Sequence, residues 1–267
     1  MSTEIPPPPA GTPPVIPSQF RVFGIGGAGT HMADHLWQRG LSEAGFAVLN
    51  TDVDALQRSL VPQRIQLGAR RARGLGAGGD PESGREAAEE ATDGLAELCS
   101  GARLVFLMCG LGGGTGTGAA PVLARAARNA GALVLAVVTL PFDCEGPRRA
   151  RQAQQGLAAL REAADVVLCL PNQRILQILD EHTSLVETFR FTDELLAQAV
   201  HGLWRLVNQP GLIPVDFADL SRVVQGRHAQ SCFAHAEATG ETRAREAAER
   251  LLQSPLLGKG ALLHDLH

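Results

Sequence analysis

Lysine is almost missing from this chain of 267 residues, in which Lys259 is the only one and arginine supplies the remaining positive charge. A mechanism that needs a catalytic lysine elsewhere is therefore excluded. The usual P-loop is excluded with it, because that loop uses a lysine to reach the phosphates of its nucleotide. Any phosphate site in this chain has to work without one.

Long apolar runs and an N-terminal targeting pattern are missing as well. The longest apolar run, Ala132–Val138, is far too short to cross a bilayer. The N-terminus lacks the charged-then-apolar order of a signal peptide. The formal net charge is −4, so no chain-wide attraction to nucleic acid is expected. These features predict a cytoplasmic protein with no direct membrane insertion and no nucleic-acid partner.

Cysteine is present, but in no pattern that would hold a metal ion. The number is odd, and no two cysteines lie at metal-ligand spacing; they are Cys99, Cys109, Cys144, Cys169 and Cys232. Three of them lie in or beside apolar runs, where cysteine behaves as a small core residue. We therefore expect a reducing compartment and no metal–thiolate site.

Short apolar strands alternate with helices over most of the chain. The predicted strands are Arg21–Phe23, Phe46–Leu49, Arg64–Leu67, Leu104–Cys109, Ala132–Val138 and Val166–Leu170. The predicted helices are Thr30–Arg39, one from Asp80 to about Cys99, one ending at Asn129, Arg149–Ala164, Asp193–Asn208, Phe217–Val224 and one from about Glu241 to Gln253. This alternation predicts an α/β fold with a doubly wound parallel sheet, which binds ligands at the carboxyl ends of its strands.

The most informative segment is a glycine-rich stretch between a buried strand and a helix. Gly112–Gly118 holds five glycines in seven residues, so that consecutive backbone N–H groups can turn toward one point. The start of the following helix adds partial positive charge there, and Thr115 and Thr117 offer hydroxyls to phosphate oxygens or to a metal-bound water. A flexible turn would not need so many glycines. We interpret this segment as a phosphate-binding loop.

A second glycine-rich loop has a different possible meaning. Gly24-x-Gly26-x-x-Gly29 matches the dinucleotide-binding fingerprint, and Asp52 follows the next strand, so that alone this loop would favour NAD or FAD. A dinucleotide fold needs one such loop, whereas this chain has two. A nicotinamide or flavin oxidoreductase remains a remote alternative, for which we recognise neither a substrate domain nor a proton-transfer residue.

With these loops in place, the chain resembles the FtsZ family of the tubulin/FtsZ superfamily. The string Gly-Gly-Thr-Gly-Thr-Gly at Gly113–Gly118 is the signature of that superfamily and is highly specific. The resemblance runs from about Phe20 to Leu257 and includes Gly24–Gly29, Asn50–Asp52, Gly74–Glu82, Pro141-Phe142, Glu145-Gly146, Pro171-Asn172, Gly211-Leu212, Asp216–Asp219 and Ser254–Leu257. It implies GTP and GDP as ligands, Mg²⁺ as companion and a head-to-tail homopolymer.

The resemblance also implies a set of nucleotide-binding residues, and no metal ligands from the protein itself. Those for the phosphates lie in the two glycine loops: Gly26, Gly27, Ala28, Gly29, His31, Gly112, Gly113, Gly114, Thr115, Gly116 and Thr117. Glu145 would hold the ribose, with Arg149 near the sugar and phosphates. Asn172, Phe189 and Asp193 would surround the base.

Asp216 and Asp219 are the implied catalytic residues, and they would reach the nucleotide of the next subunit. The two residues are three apart at the start of a helix, so both side chains project from the same end of that helix. A carboxylate within hydrogen-bond reach of an attacking water can orient it. Aspartates at such a position are also ordinary capping residues. The phosphate loop and the resemblance together favour catalysis.

The chain departs from the family pattern at several points. Pro214 stands where the family has an asparagine, and proline offers neither an N–H nor a polar side chain. Asp193-Glu194 replaces an asparagine–aspartate pair, and a carboxylate cannot donate to guanine O6. His31 replaces an asparagine near the phosphates, although a lone histidine at a helix start is more often a cap or surface residue.

Four segments are predicted. Residues 1–18 form a disordered proline-rich arm, 19–192 a nucleotide-binding domain, and 193–209 a central helix that is apolar on several sides and therefore buried. Residues 210–267 form a partial second domain, because relatives in the family add several more strands there.

Two readings of the function follow from the resemblance. The first is a GTPase that assembles into filaments and hydrolyses GTP between subunits, in cell division or a related cytoskeletal role. The second is a catalytically weak or inactive nucleotide-binding protein that regulates or co-polymerises with a full-length FtsZ. The altered base and catalytic loops suggest this alternative.

Overall fold

The computed structural model describes residues 18–41, 44–70, 72–176, 179, 183–208, 217–224, 234 and 236–254. Its strands form one six-stranded sheet in the order β3-β2-β1-β4-β5-β6, and every neighbouring pair is parallel. They are β1 (Phe20–Ile25), β2 (Gly45–Asn50), β3 (Arg64–Gln66), β4 (Leu104–Gly110), β5 (Leu133–Leu140) and β6 (Val166–Pro171). The strand order changes direction between β1 and β4, which is where a doubly wound sheet opens a ligand crevice.

The helices lie on both faces of this sheet, as the predicted fold class requires. They are α1 (Gly26–Gln38), α2 (Val53–Arg58), α3 (Pro81–Glu89), α4 (Thr92–Cys99), α5 (Thr115–Asn129), α6 (Pro147–Ala163), α7 (Asn172–Leu176), α8 (Leu185–Asn208), α9 (Phe217–Val224) and α10 (Arg243–Leu252). A 3₁₀ turn covers Asp143–Glu145. Within the described chain, no helix is both long and apolar enough to cross a membrane.

Strand β4 shows why the sheet is buried on both sides. Val105, Leu107 and Cys109 belong to the apolar cluster on the face that packs against α3–α6. Alternate residues of the same strand, such as Phe106 and Met108, belong to the cluster on the opposite face with α1 and α8. A parallel strand covered on both faces has to be apolar at every position, and this explains its uninterrupted sequence.

Several helix boundaries differ from those predicted. Helices α1 and α5 begin inside the glycine strings, the helix predicted from Asp80 to Cys99 is two helices, and α2 and α7 were not predicted. The central helix was predicted to begin at Asp193 but begins at Leu185. Its true start is a capping box: the Glu187 N–H donates to Ser184 Oγ, and the Ser184 N–H donates to the Glu187 carboxylate.

The predicted second domain is represented by little described structure. Helices α9 and α10 and a few neighbouring residues are its described parts, and α10 contains no buried residue. The predicted arm falls, apart from Ser18, outside the described residues, as do Pro214 and Asp216.

Candidate functional site

The two glycine-rich loops meet at the carboxyl ends of the neighbouring strands β1 and β4. Gly26 has a φ of +69°, and a β-carbon there would lie 3.0 Å from the Gly116 backbone nitrogen. A β-carbon on Gly110 would lie 2.7 Å from that of Ala28. Side chains at these points would push the loops apart, because positive φ and close backbone approach both favour glycine. Glycine therefore allows both loops to form one surface.

Helices α1 and α5 leave their N-termini open at this surface. Neither has a capping side chain or an acidic residue in its first turn. The neighbouring helices α2 and α3 are capped by Asp52 and Asp80. Unpaired N–H groups and the partial positive charge of two helix starts make a ready anion site.

Gly27 and Gly113 mark the places where a ligand can approach this backbone. A β-carbon added to either would meet no described atom within 4 Å. The other glycines of the second loop are confined: one on Gly114 would lie 2.8 Å from the Ala77 β-carbon, and one on Gly118 would lie 1.9 Å from the Pro81 carbonyl oxygen. Packing alone therefore explains why Gly114 and Gly118 have no side chain. It does not explain why Gly27 and Gly113 have none.

The two threonines of the second loop have partners inside the protein. Thr115 Oγ1 lies 2.7 Å from Thr51 Oγ1, and the Gly112 N–H donates to Thr117 Oγ1 over 2.8 Å. All three threonines are buried. Thr117 therefore braces the loop, and the Thr51–Thr115 pair lies between the ends of β2 and β4. Thr51 was not predicted as a site residue, although it belongs to the Asn50-Thr51-Asp52 motif that follows a strand end.

Glu145 and Arg149 lie together beside the surface formed by the two glycine-rich loops and the starts of α1 and α5, which is the predicted phosphate surface. Glu145 accepts a hydrogen bond of 2.8 Å from the Phe142 N–H and forms an ion pair with Arg149. A β-carbon on Gly112 would lie 3.0 Å from the Arg149 carbonyl oxygen, so the start of α6 touches the glycine loop. Both residues thus border the surface formed by the two glycine-rich loops, with the Arg149 side chain largely exposed.

The three residues predicted to surround a base differ in burial and in hydrogen bonding. Asn172 is buried, and its Oδ1 atom finds no hydrogen-bond partner within the described chain. Such an orphaned acceptor costs about 1–3 kcal/mol unless a ligand supplies a donor. Phe189 is half-exposed and meets Phe142 edge to face, with ring centroids 5.2 Å apart. Burial raises the pKa of Asp193 to about 6, against the opposing effect of His31 and His35.

Glu194 does not share the environment of Asp193. Its carboxylate binds His35 Nε2 and Gln198 Nε2, each at 2.7 Å, and forms an ion pair with Arg39. Burial would raise the pKa of Glu194, but these hydrogen bonds outweigh it and hold the pKa below its ordinary value. Glu194 therefore joins α1 to α8, and Asp193 remains the carboxylate that is predicted to lie beside a base.

Asp219 lies at the other end of the molecule. It pairs with Arg222 at 3.3 Å on α9, and α9 is anchored where the Arg103 guanidinium lies 4.6 Å from the centroid of the Phe217 ring. Arg103 immediately precedes β4, whereas the phosphate loop follows the end of β4. Seven residues of strand separate these ends by roughly 20 Å. Asp219 therefore cannot reach the phosphate loops of its own chain.

Known proteins resemble this chain over most of its length. The pattern of the "Tubulin/FtsZ family, GTPase domain" matches residues 19–180. Cell division protein FtsZ 1 of Archaeoglobus fulgidus is 45% identical over 238 residues, which are 89% of this chain but 64% of that protein. This chain therefore spans less than two thirds of the length of that relative.

Two solved structures show the same fold. An empty FtsZ dimer from M. jannaschii has 40% identity and a TM-score of 0.83, with 90% of this chain and 69% of that one covered. A GTPγS-bound protofilament of CetZ2 from Haloferax volcanii has 28% identity and a TM-score of 0.67, with 76% and 62% covered. The predicted doubly wound parallel sheet is confirmed by the first of these and by the strand order.

Proposed function

The chain belongs to the Tubulin/FtsZ family, and on that premise we propose that it binds GTP with Mg²⁺, assembles head to tail and hydrolyses GTP to GDP and phosphate between subunits. One observation carries the proposal. The two glycine-rich loops lie at the carboxyl end of the sheet, and Asp219 lies at the amino end. A site that needs both has to be made from two copies, and a repeated head-to-tail contact of this kind generates a filament.

The phosphates would bind to backbone rather than to a lysine. Gly27 and Gly113 leave room for them, and the open starts of α1 and α5 supply N–H groups and partial positive charge. Arg149 is a side-chain cation that borders this surface. The buried Oδ1 of Asn172, which has no partner among the described residues, would accept a hydrogen bond from the base, and this supports a nucleotide over a simple phosphate.

Mg²⁺ would enter with the nucleotide. No group of three or more histidine, cysteine, aspartate or glutamate side chains in the described part of the chain is placed to hold a metal ion. Mg²⁺ commonly binds through phosphate oxygens and water, so this arrangement fits it. The paired hydroxyls of Thr51 and Thr115 are the protein groups that we expect beside its water shell. When bound, the ion neutralises charge on the phosphates.

Hydrolysis joins a water oxygen to the γ-phosphorus and breaks the bond to the bridging oxygen, which releases GDP and inorganic phosphate. Asp216 and Asp219 of the neighbouring copy would orient that water by accepting its hydrogen bonds. Asp219 pairs with Arg222 and is half-exposed on its own subunit. A carboxylate in that state is available to a second molecule.

The proposal is tested by phosphate release from GTP across a protein concentration series. Turnover per subunit should be negligible at low concentration and should rise steeply above a threshold, because each site needs two copies. Turnover per subunit that is independent of concentration would contradict a site shared between copies.

Mixing two inactive variants tests the shared site directly. Asp219→Ala keeps its nucleotide pocket, and Gly113→Ala keeps Asp219. Roughly a quarter of the contacts in an equal mixture pair an intact pocket with an intact aspartate, and activity should return at those contacts. Two variants that stay inactive when mixed, while Asp219→Ala alone still binds GTP, would show that Asp219 does not act on the nucleotide of a neighbouring copy.

A second candidate is a regulator or co-polymer of a full-length FtsZ, active or not by itself. It is favoured by the departures from the family pattern at Asp193-Glu194 and Pro214, and by α10, which has no buried residue. GTP binding without turnover, followed by turnover on addition of a full-length relative, would support this candidate. In either case we place the protein in the cytoplasm, in cell division or a related cytoskeletal role.

A further inference from the structure

A third loop, Gly74–Gly79, lies against the two glycine-rich loops and connects β3 to α3; we call it the β3–α3 loop. A β-carbon on Gly114 would lie 2.8 Å from the β-carbon of Ala77, so the β3–α3 loop touches the predicted phosphate surface. Two backbone hydrogen bonds, of 3.1 and 3.2 Å, tie the first half of this loop to the segment that follows β2. The first half therefore has a fixed position.

The second half of the β3–α3 loop is held by a single side chain. Gly78 and Gly79 have φ values of +58° and +74°, and a β-carbon on either would meet no described atom within 4 Å. Within the described chain, one hydrogen bond joins residues 77–79 to another part of the fold: Gln152 Nε2 on α6 donates to the Gly79 carbonyl oxygen over 3.2 Å. The end of the loop therefore depends on α6 for its position.

Helix α6 is itself packed firmly against the second glycine-rich loop. Arg149 and Gly156 lie three residues before and four residues after Gln152, so the three share one face of the helix. A β-carbon on Gly156 would lie 2.4 Å from Thr117 Cγ2, and one on Gly112 would lie 3.0 Å from the Arg149 carbonyl oxygen. Gln152 therefore projects from a fixed helix face, and its hydrogen bond joins that face to the β3–α3 loop.

The strand order relates the β3–α3 loop to one end of a bound nucleotide. Asn172, on the predicted base side, directly follows β6, whereas the two glycine-rich loops follow β1 and β4. The β3–α3 loop is tied to the segment after β2. In the order β2-β1-β4-β5-β6, this loop and the base side lie on opposite sides of the glycine-rich loops. A nucleotide that spans this edge would direct its terminal phosphate toward the β3–α3 loop.

We propose that Gln152 is a positioning residue, which holds the β3–α3 loop beside the terminal phosphate and thereby favours GTP over GDP. This rests on the proposed function, in which GTP is the ligand. Gln152 acts through the Gly79 backbone and not by touching the nucleotide. Loss of one neutral hydrogen bond of this kind changes an equilibrium constant about two- to tenfold, and GDP, which lacks the terminal phosphate, should be insensitive to it.

The test compares Gln152→Met with the matched control Gln155→Met. Methionine keeps the length of the glutamine side chain but has no N–H donor, and Gln155 is an exposed residue one turn further along α6. Competition with a fluorescent GDP analogue gives the affinities for GTP and GDP. Gln152→Met should bind GTP about two- to tenfold more weakly and GDP as well as the wild type does. The control should match the wild type for both nucleotides.

Hydrogen exchange of the ligand-free protein gives a second readout, which does not depend on nucleotide. The Gly76 and Asp80 amides donate to the carbonyl oxygens of Thr51 and Ala77. Both amides should exchange faster in Gln152→Met than in the wild type, because the end of the loop is released. Their exchange should be unchanged in the control.

Each outcome separates this inference from the proposed function. Equal weakening of GTP and GDP in Gln152→Met, or unchanged affinity for both, would overturn the inference and leave GTP binding by the wild type intact. If Gln152→Met melts at a lower temperature than the wild type, Gln152→Ala decides by the same comparison, because alanine is the residue most favourable to a helix. A wild-type protein that binds neither nucleotide would instead refute the proposed function.

Discussion

Gly113→Ala is the change that separates nucleotide binding from folding most cleanly. A β-carbon at this position meets no described atom within 4 Å, and its φ is not in the left-handed region. Stability should therefore be unchanged, or slightly higher because alanine restricts the unfolded chain. A methyl group in the phosphate space would remove at least one charge-assisted hydrogen bond. Such a bond contributes about 1.5–3 kcal/mol, so GTP should bind roughly 10- to 150-fold more weakly.

The matched control is Gly118→Ala in the same loop. Its β-carbon would lie 1.9 Å from the Pro81 carbonyl oxygen and 2.5 Å from the Arg85 nitrogen, so the backbone itself has to shift. Calorimetric GTP titration and thermal unfolding of both variants give the comparison. We expect weak binding with a normal melting temperature for Gly113→Ala, and a lowered melting temperature for Gly118→Ala. Wild-type GTP affinity in Gly113→Ala would refute the placement of the phosphates.

Three further predictions concern stability, pH and thiol reactivity. Arg21→Met should lower the free energy of unfolding in urea by about 2–4 kcal/mol, because the buried guanidinium donates hydrogen bonds to the carbonyl oxygens of Leu98 and Ser100 at the end of α4. A loss below about 1 kcal/mol, in the range of a surface change, would contradict this. Because the pKa of Asp193 is raised in the folded protein, the protonated carboxyl favours folding. This contribution to the free energy of unfolding is complete below about pH 4 and is lost as the pH rises through about 6. Asp193→Asn should therefore gain stability over the ligand-free wild type between pH 4.5 and 7, and an equal pH slope in both proteins would argue against a buried carboxyl. In a Cys232→Ser variant a maleimide should label Cys144 first, because Cys144 is the exposed thiol of the described chain. GTP should slow that labelling. Mass spectrometry of the peptides shows which thiol reacts.

The sequence predicted those features of the fold that repeat along the chain. Apolar strands followed by helices define a parallel sheet, and glycine strings after strand ends locate its ligand crevice. Local boundaries were predicted less well where glycine was involved. Helices α1 and α5 begin within glycine strings, because packing of the two loops overrides the low helix propensity of glycine.

Other features depended on contacts between distant residues. The start of α8 could have been recognised from Ser184 and Glu187, since this spacing is a capping-box signal. In contrast, no local pattern separates Asp193 from Glu194; only the packing of α1 on α8 gives Glu194 to His35 and Arg39. The orphaned oxygen of Asn172 and the placement of Asp219 opposite the glycine loops likewise arise from the tertiary fold.

Helix α8 has 24 residues and a length of about 36 Å; in our proposal its first half lies on the base side of the site, whereas α9 lies at the amino end of the sheet. In the proposed filament, every subunit therefore has one end that holds a nucleotide and one that acts on a nucleotide. A filament of any length has one terminal nucleotide that no neighbour touches. That nucleotide is the one that can persist unhydrolysed and exchange with solution, so filament length itself sets the ratio of turnover to exchange.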